Sequence, residues 1–303
     1  MGVEIGAVRL LALLAQAGVD PVRTLTLGRQ SLHAGKMDLQ RALMECGTPF
    51  RDGIVREDGY AEGFFEFLGA QTVDSMDASD YEHATHVHDL NLPLPVELKG
   101  RFSLVYDGGT LEHVFHFPQA IKNAMELVEV GGHFVGVTVC NNYVGHGFYQ
   151  FSPELFFRVF SPENGFETRH VLVFETRKTG LDDGTMWRVE DPAKLGRRVL
   201  LQNASETLIA VVARKTDSVD IFAQTPQQSD YVASWDSETG NAFAEKPRRG
   251  LRALTRPARY ALKRGVRPLS RASTGVRLAL KPYEDPAYTR VRMDVSALKW
   301  LGR

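Results

Sequence analysis

A chain of 303 residues, 43% hydrophobic and 24% charged, has the composition of a soluble globular protein and the length for one large α/β domain with an appendage. Two cysteines, Cys46 and Cys140, lack CxxC spacing; they argue against a disulfide scaffold or a thiolate metal centre and suit a reducing compartment. The net charge of −1 conceals a division. From Glu245 onward 16 Lys and Arg stand against 4 Asp and Glu, leaving 20 against 33 in residues 1–244, which predicts two functionally different parts.

The apolar run Ala7–Ala17 resembles a leader with an AQA cleavage site, but Glu4 precedes it and Arg9 interrupts it. It is read as the first helix, Ile5–Ala17, of a cytoplasmic protein, and no stretch has the apolar length to span a bilayer. Arg23–Leu27 then reads as a strand ending at Gly28, with GRQSLHAGKM as the loop at its carboxyl end. Met37–Met44 and Tyr60–Leu68 have helical spacing. Thr72–Met76 is the next strand, ending at Asp77, and Thr85–His88 a third, ending at Asp89.

Phe102–Tyr106 is a short apolar run suited to a strand buried on both faces. Asp107 ends it, Gly108-Gly109 turn the chain, and Thr110 stands where a helix N-cap is expected. Phe117–Val130 carries Phe117, Ala120, Ile121, Ala124, Met125 and Val128 at helical intervals, with Gly131-Gly132 as its cap. Phe134–Cys140 is the fifth strand, followed by the loop NNYVGHGFYQF and a helix from Pro153 to Phe160. Gly165–Glu175 and Glu206–Lys215 are two more strands with no crossover helix between them, so they pair antiparallel. The order predicts an α/β, doubly wound, mostly parallel sheet with an antiparallel edge pair and ligands at the carboxyl ends of its strands. Residues 1–218 form this domain, 219–244 an extended linker packing back through Phe222, Tyr231 and Trp235, and 245–303 a basic, partly helical C-terminal extension.

Asp77, Asp89 and Asp107 fall at three successive strand ends. Aspartate favours turns after strands, which accounts for any one of them. Three in register point to a ligand, because a nucleoside across the strand ends offers ribose hydroxyls to one carboxylate and an exocyclic amine to another.

The segment FSLVYDGGTLEHVFHFPQAIKNAMELVEVGGHFVGVTV resembles the fourth-to-fifth-strand region of class I S-adenosylmethionine-dependent methyltransferases. TVDSMDASDYEHATHVHDLNLPLP is similar to that family's acidic ribose- and adenine-binding strand ends. The resemblance covers about residues 20–216. It implies a Rossmann-like fold, S-adenosylmethionine as cofactor, Asp77 on the ribose hydroxyls, Asp89 and Leu90 at the adenine, and Asp107 at the methionine end. Two features depart from the family. Its first strand usually ends in GxGxG, whereas Gly28-Arg29-Gln30-Ser31-Leu32 keeps one glycine, so Arg29 and Gln30 either contact the cofactor carboxylate or obstruct the pocket. Only eleven residues separate Asp77 from Asp89, too few for a full helix between those strands.

Methyl transfer needs an aligned acceptor, a dry site and often a base. His113, His146 and Tyr149 are the candidates, the last two in the loop after the fifth strand, where such enzymes contact the acceptor. A small-molecule or glycan- or lipid-linked acceptor is expected, with a non-catalytic methyltransferase-like scaffold and a nucleotide-sugar binder as alternatives. The histidine pairs His86/His88 and His113/His116 have ligand spacing but no third partner, so no metal site is expected. If Arg252–Arg267 is helical, one stripe is basic and another apolar. That pattern suits an anionic membrane surface or docking on the acidic domain; without interleaved aromatics it does not suit nucleic acid.

Overall fold

The structure, a computed structural model, describes residues 2–176, 184–236, 283 and 285–302. The first half of the chain comprises β1 (Gly2–Glu4), α1 (Ile5–Gln16), β2 (Arg23–Leu27), β3 (Ser31–His33), α2 (Lys36–Glu45), α3 (Glu62–Leu68), β4 (Thr72–Asp77), β5 (His86–Val87) and β6 (Phe102–Asp107). The second half adds α4 (Phe117–Leu127), β7 (Val128–Asn141), α5 (Pro153–Val159), β8 (Phe166–Glu175), β9 (Thr185–Val189), α6 (Pro192–Leu195), β10 (Thr207–Lys215), α7 (Ser229–Asp236), β11 (Tyr288–Arg292) and a last turn, α8 (Leu298–Leu301).

Nine strands form one sheet in the order β11-β9-β8-β10-β7-β6-β2-β4-β5. From β7 to β5 every pairing is parallel, and from β7 to β11 every pairing is antiparallel. The fold is therefore the expected doubly wound, Rossmann-like sheet, with β8 and β10 paired antiparallel as their connection predicts. The antiparallel part is larger than a pair, because β9 and β11 extend it outward.

Alternation along the strands divides the core into two layers. On one face Leu25, Leu27, Val105, Phe134, Val171, Val173, Ile209 and Val211 pack beneath α4 and α5. On the other Leu104, Tyr106, Val135, Val137, Leu172, Ala210 and Val212 pack against α1, α2 and α3. Burial on both faces explains why the central strands read as unbroken apolar runs. Each such side chain contributes about 1.5–3 kcal/mol relative to exposure. Arg9, which interrupts the apolar run of α1, is 1% exposed and pairs with Glu45 of α2 at 2.7 Å; a buried guanidinium requires such a partner.

Several sequence expectations change. No helix joins β4 to β5, in keeping with the short spacer. α4 stops at Leu127, and β7 begins there rather than after the glycines, which fall in a register shift opposite β6. The loop after β2 contains β3, which pairs in parallel with β1. The stretch read as an extended linker includes helix α7, anchored by Ser229 N–H donating to Glu154 Oε1 at 2.8 Å. The end of the basic extension returns to the fold. β11 pairs with β9, Leu301 packs in the core layer of α1, and the Leu301 carbonyl lies 3.1 Å from His170 Nε2. The postulated basic helix Arg252–Arg267 lies outside the described residues. Among the described residues no helix is long and apolar enough to cross a membrane.

Candidate functional site

The parallel register brings the strand ends to one edge. Leu27 stands opposite both Met76 and Asp107, and Asp77 opposite Val87, two residues before Asp89. The three aspartates thus share the carboxyl edge of β6, β4 and β5, on either side of the end of β2. They differ in state.

Asp77 is partly exposed, and among the described residues its carboxylate accepts one long hydrogen bond, from Ser79 N–H at 3.4 Å. Asp89 is exposed and accepts from the Asn91 backbone and side chain at 2.9 and 2.7 Å, bonds that hold its carboxyl below the ordinary value. Leu90 beside it is buried. Asp107 is 1% exposed. Its Oδ1 accepts from Thr110 N–H at 2.8 Å, while Oδ2 has no hydrogen-bond partner among the described residues. Burial, and next the negative charge of Glu112, raise the Asp107 carboxyl to about 8, so it carries a proton at neutral pH. Thr110 does not cap a helix as its position suggests; its hydroxyl donates to the Leu27 carbonyl at 2.6 Å, tying the ends of β6 and β2.

The loop after Gly28 places its two bulky residues differently. Arg29 is not brought into the aspartate row. Its guanidinium binds Glu62 at 2.7 Å and Asp58 at 3.3 Å and stacks on Tyr60 at 3.7 Å. Gln30 turns inward and is 2% exposed. Its amide nitrogen donates to the Leu27 carbonyl, and its Oε1 has no partner among the described residues. A Cβ on Gly108 would come within 2.3 Å of that oxygen, so Gly108 is what gives Gln30 its place. The Gly2 N–H donates to the Gly108 carbonyl at 3.0 Å, bringing β1 against the same turn. Two buried oxygens without a hydrogen-bond partner among the described residues, Gln30 Oε1 and Asp107 Oδ2, therefore lie at adjoining strand ends.

The other candidates gather where the loop after β7, with His146 and Tyr149, meets the turn after β6, with His113. His146 Nε2 lies 3.6 Å from Glu112 Oε1, and the His113 and His146 rings are 5.1 Å apart. The Tyr149 hydroxyl donates to the Phe115 carbonyl at 2.7 Å. Phe115 and Phe148, both exposed, meet edge to face at 5.7 Å. Glu112 holds this loop to the turn after β6: its carbonyl accepts from Phe148 and Tyr149 N–H at 2.9 and 3.2 Å. Sequence reading passed over Glu112, although it is the glutamate of LEHV. Of the histidine pairs singled out by spacing, His86 lies 2.8 Å from Asp74 and His116 3.3 Å from the Asn91 carbonyl, which leaves His113 apart from its sequence partner.

No protein-family model matches the chain, and no curated protein matches it. Among solved structures it is similar to an S-adenosylmethionine-dependent methyltransferase from Mesorhizobium loti, with 20% identity over 42% of this chain and a TM-score of 0.26. That match spans 52% of the other protein, about half its length. It is also similar to the Burkholderia thailandensis 1,6-didemethyltoxoflavin-N1-methyltransferase, with 14% identity, 69% of this chain and 78% of that one, and a TM-score of 0.37. A third is the N-methyltransferase NodS of Bradyrhizobium japonicum, with 12% identity, 70% and 88% coverage, and a TM-score of 0.35. The last two were crystallised with S-adenosylhomocysteine. The chain is thus similar, at low identity, to S-adenosylmethionine-dependent methyltransferases.

Proposed function

We propose that the chain binds S-adenosylmethionine along the carboxyl edge of β2, β4, β5 and β6 and directs methyl transfer to a small-molecule or glycan- or lipid-linked acceptor. The observation that carries this reading is the pair of buried, unsatisfied oxygens, Gln30 Oε1 and Asp107 Oδ2, beside the open carboxylate of Asp77. An unsatisfied buried acceptor such as Gln30 Oε1 costs about 1–3 kcal/mol; the ammonium of an amino-acid moiety offers it a donor, and another to Asp107 Oδ2 once that carboxyl ionises. Asp77 accepts the ribose hydroxyls, while Asp89 and Leu90 receive the base. When bound, the cofactor supplies a sulfonium-activated methyl group. Asp107, protonated in the free protein, gives up its proton as the ammonium docks, because a neighbouring cation favours the carboxylate. Phe115 and Phe148 form an aromatic wall where the acceptor approaches, and Tyr149 holds Phe115 in place.

Calorimetry with S-adenosylmethionine and S-adenosylhomocysteine, at pH 7 in two buffers of different ionisation enthalpy, tests this. Binding of both with release approaching one proton is expected, and Asp77→Ala should weaken it at least about tenfold, the scale of one charge-assisted contact. Absence of heat with either ligand at millimolar concentration overturns the reading. It would favour a second one, a non-catalytic methyltransferase-like module, for which the inward Gln30 and the approach of β1 to Gly108 speak.

A further inference from the structure

Glu112, His113 and His146 form a cluster that cofactor binding leaves without a task. One potential ligand atom from each, a carboxylate oxygen and two imidazole nitrogens, lies within 4.8 Å of the other two. Glu112 is 1% exposed. Its Oε2 is fixed by the Thr138 hydroxyl, which donates at 2.8 Å. Its Oε1 faces His146 Nε2 at 3.6 Å and has no hydrogen bond among the described residues. The carboxylate is therefore buried and oriented through one oxygen, while the other faces the exposed imidazole of His146, with exposed His113 beside it.

The backbone around it is shaped to the same end. A Cβ on Gly109, which has φ of 90°, would stand 3.1 Å from Glu112 Oε1, and one on Gly147 would stand 2.9 Å from the Glu112 carbonyl oxygen. Glycine at both positions lets the two loops close around the glutamate. The Glu112 carbonyl, by accepting from Phe148 and Tyr149, ties the His146 loop to the turn that carries His113.

A carboxylate with a hydroxyl donor behind it and two imidazoles in front is a donor set for a first-row divalent ion, and the hydrogen bond from Thr138 is the kind of outer contact that orients a ligating carboxylate. We propose that Glu112 Oε1, His113 and His146 bind one divalent transition-metal ion, with Zn²⁺ or Co²⁺ as suitable occupants, leaving its remaining positions open toward the Phe115–Phe148 wall. Bonds of about 2.1 Å bring ligand atoms to about 3–3.5 Å from one another, a closure that rotation of the two exposed imidazoles supplies. An ion placed there would coordinate an acceptor oxygen and favour its deprotonated form, making hydroxyl-bearing acceptors the substrate class. That consequence rests on the methyltransferase reading; ion binding does not.

The test is titration of untagged, metal-free, full-length protein with Co²⁺, read by visible absorption and by calorimetry. One equivalent is expected, with affinity reduced at least about tenfold in His113→Ala, in His146→Ala and in Glu112→Gln, and unchanged in His116→Ala. Near-UV circular dichroism confirms that each variant is folded; if Glu112→Gln is not, the histidine variants carry the result. Failure of wild type to bind at millimolar Co²⁺, or equal binding by a His113→Ala/His146→Ala double variant, overturns the proposal. Co²⁺ binding with no S-adenosylmethionine binding would sustain the metal site and remove the methyltransferase reading, and the converse would do the reverse.

Discussion

Replacing Asp107 by asparagine isolates the consequence of burying a carboxyl at the end of β6. In the folded protein this group, 1% exposed, titrates near 8 rather than 3.8, because burial and then the charge of Glu112 oppose ionisation. The unfolded chain loses that proton near the ordinary value. Between about pH 4 and pH 8 the folded state therefore binds one proton more than the unfolded state. Stability from this group is complete below about pH 4 and declines as the pH rises toward 8, by about 1.4 kcal/mol per pH unit where the slope is steepest. Asp107→Asn keeps the side-chain shape and the oxygen that accepts from Thr110 N–H, but has no proton to lose. Urea denaturation of both proteins, stepped from about pH 5 to pH 8, should show wild type losing ground to the variant at each step, while titrations common to both cancel. A difference that stays flat, or one in which wild type gains as the pH rises, would refute the reasoning.

Two further substitutions probe the packing that positions the site. Tyr106 is fully buried beside Phe65, and its hydroxyl has no partner among the described residues, so Tyr106→Phe should leave stability unchanged or raise it by up to about 1 kcal/mol; a loss larger than that in urea denaturation would mean the hydroxyl is satisfied in solution. Glu45→Gln removes the negative charge 2.7 Å from buried Arg9, which also donates to the Met293 carbonyl, and should cost about 1–3 kcal/mol, between the values for exposed and buried pairs because Glu45 is 40% exposed. Arg9→Met in the same background should recover most of that cost, and a double variant no more stable than Glu45→Gln alone would contradict the account.

What the sequence determined by itself was whatever depends on local pattern. The apolar run Phe102–Tyr106, the helix beginning at Phe117 and the placement of Asp77, Asp89 and Asp107 at strand ends were all legible, because a strand buried on both faces and an amphipathic helix impose periods on neighbouring residues. The missing helix between Asp77 and Asp89 was legible too, as a matter of chain length. Tertiary structure decided whatever depends on distant partners. β1 and β3 are three residues each and exist by pairing with each other, so neither carries a period of its own. β11 joins the sheet from the far end of a stretch whose composition reads as a basic extension. Arg29 and Gln30, adjacent in the chain, part company because Glu62, Asp58 and Tyr60 capture one while the space beside Gly108 admits the other. Glu112 was invisible as a site residue for the same reason: the hydroxyl that orients it comes from β7, and the histidine it faces from the loop beyond. A side chain's chemistry is set by its neighbours in space, and only the folded chain says which residues those are.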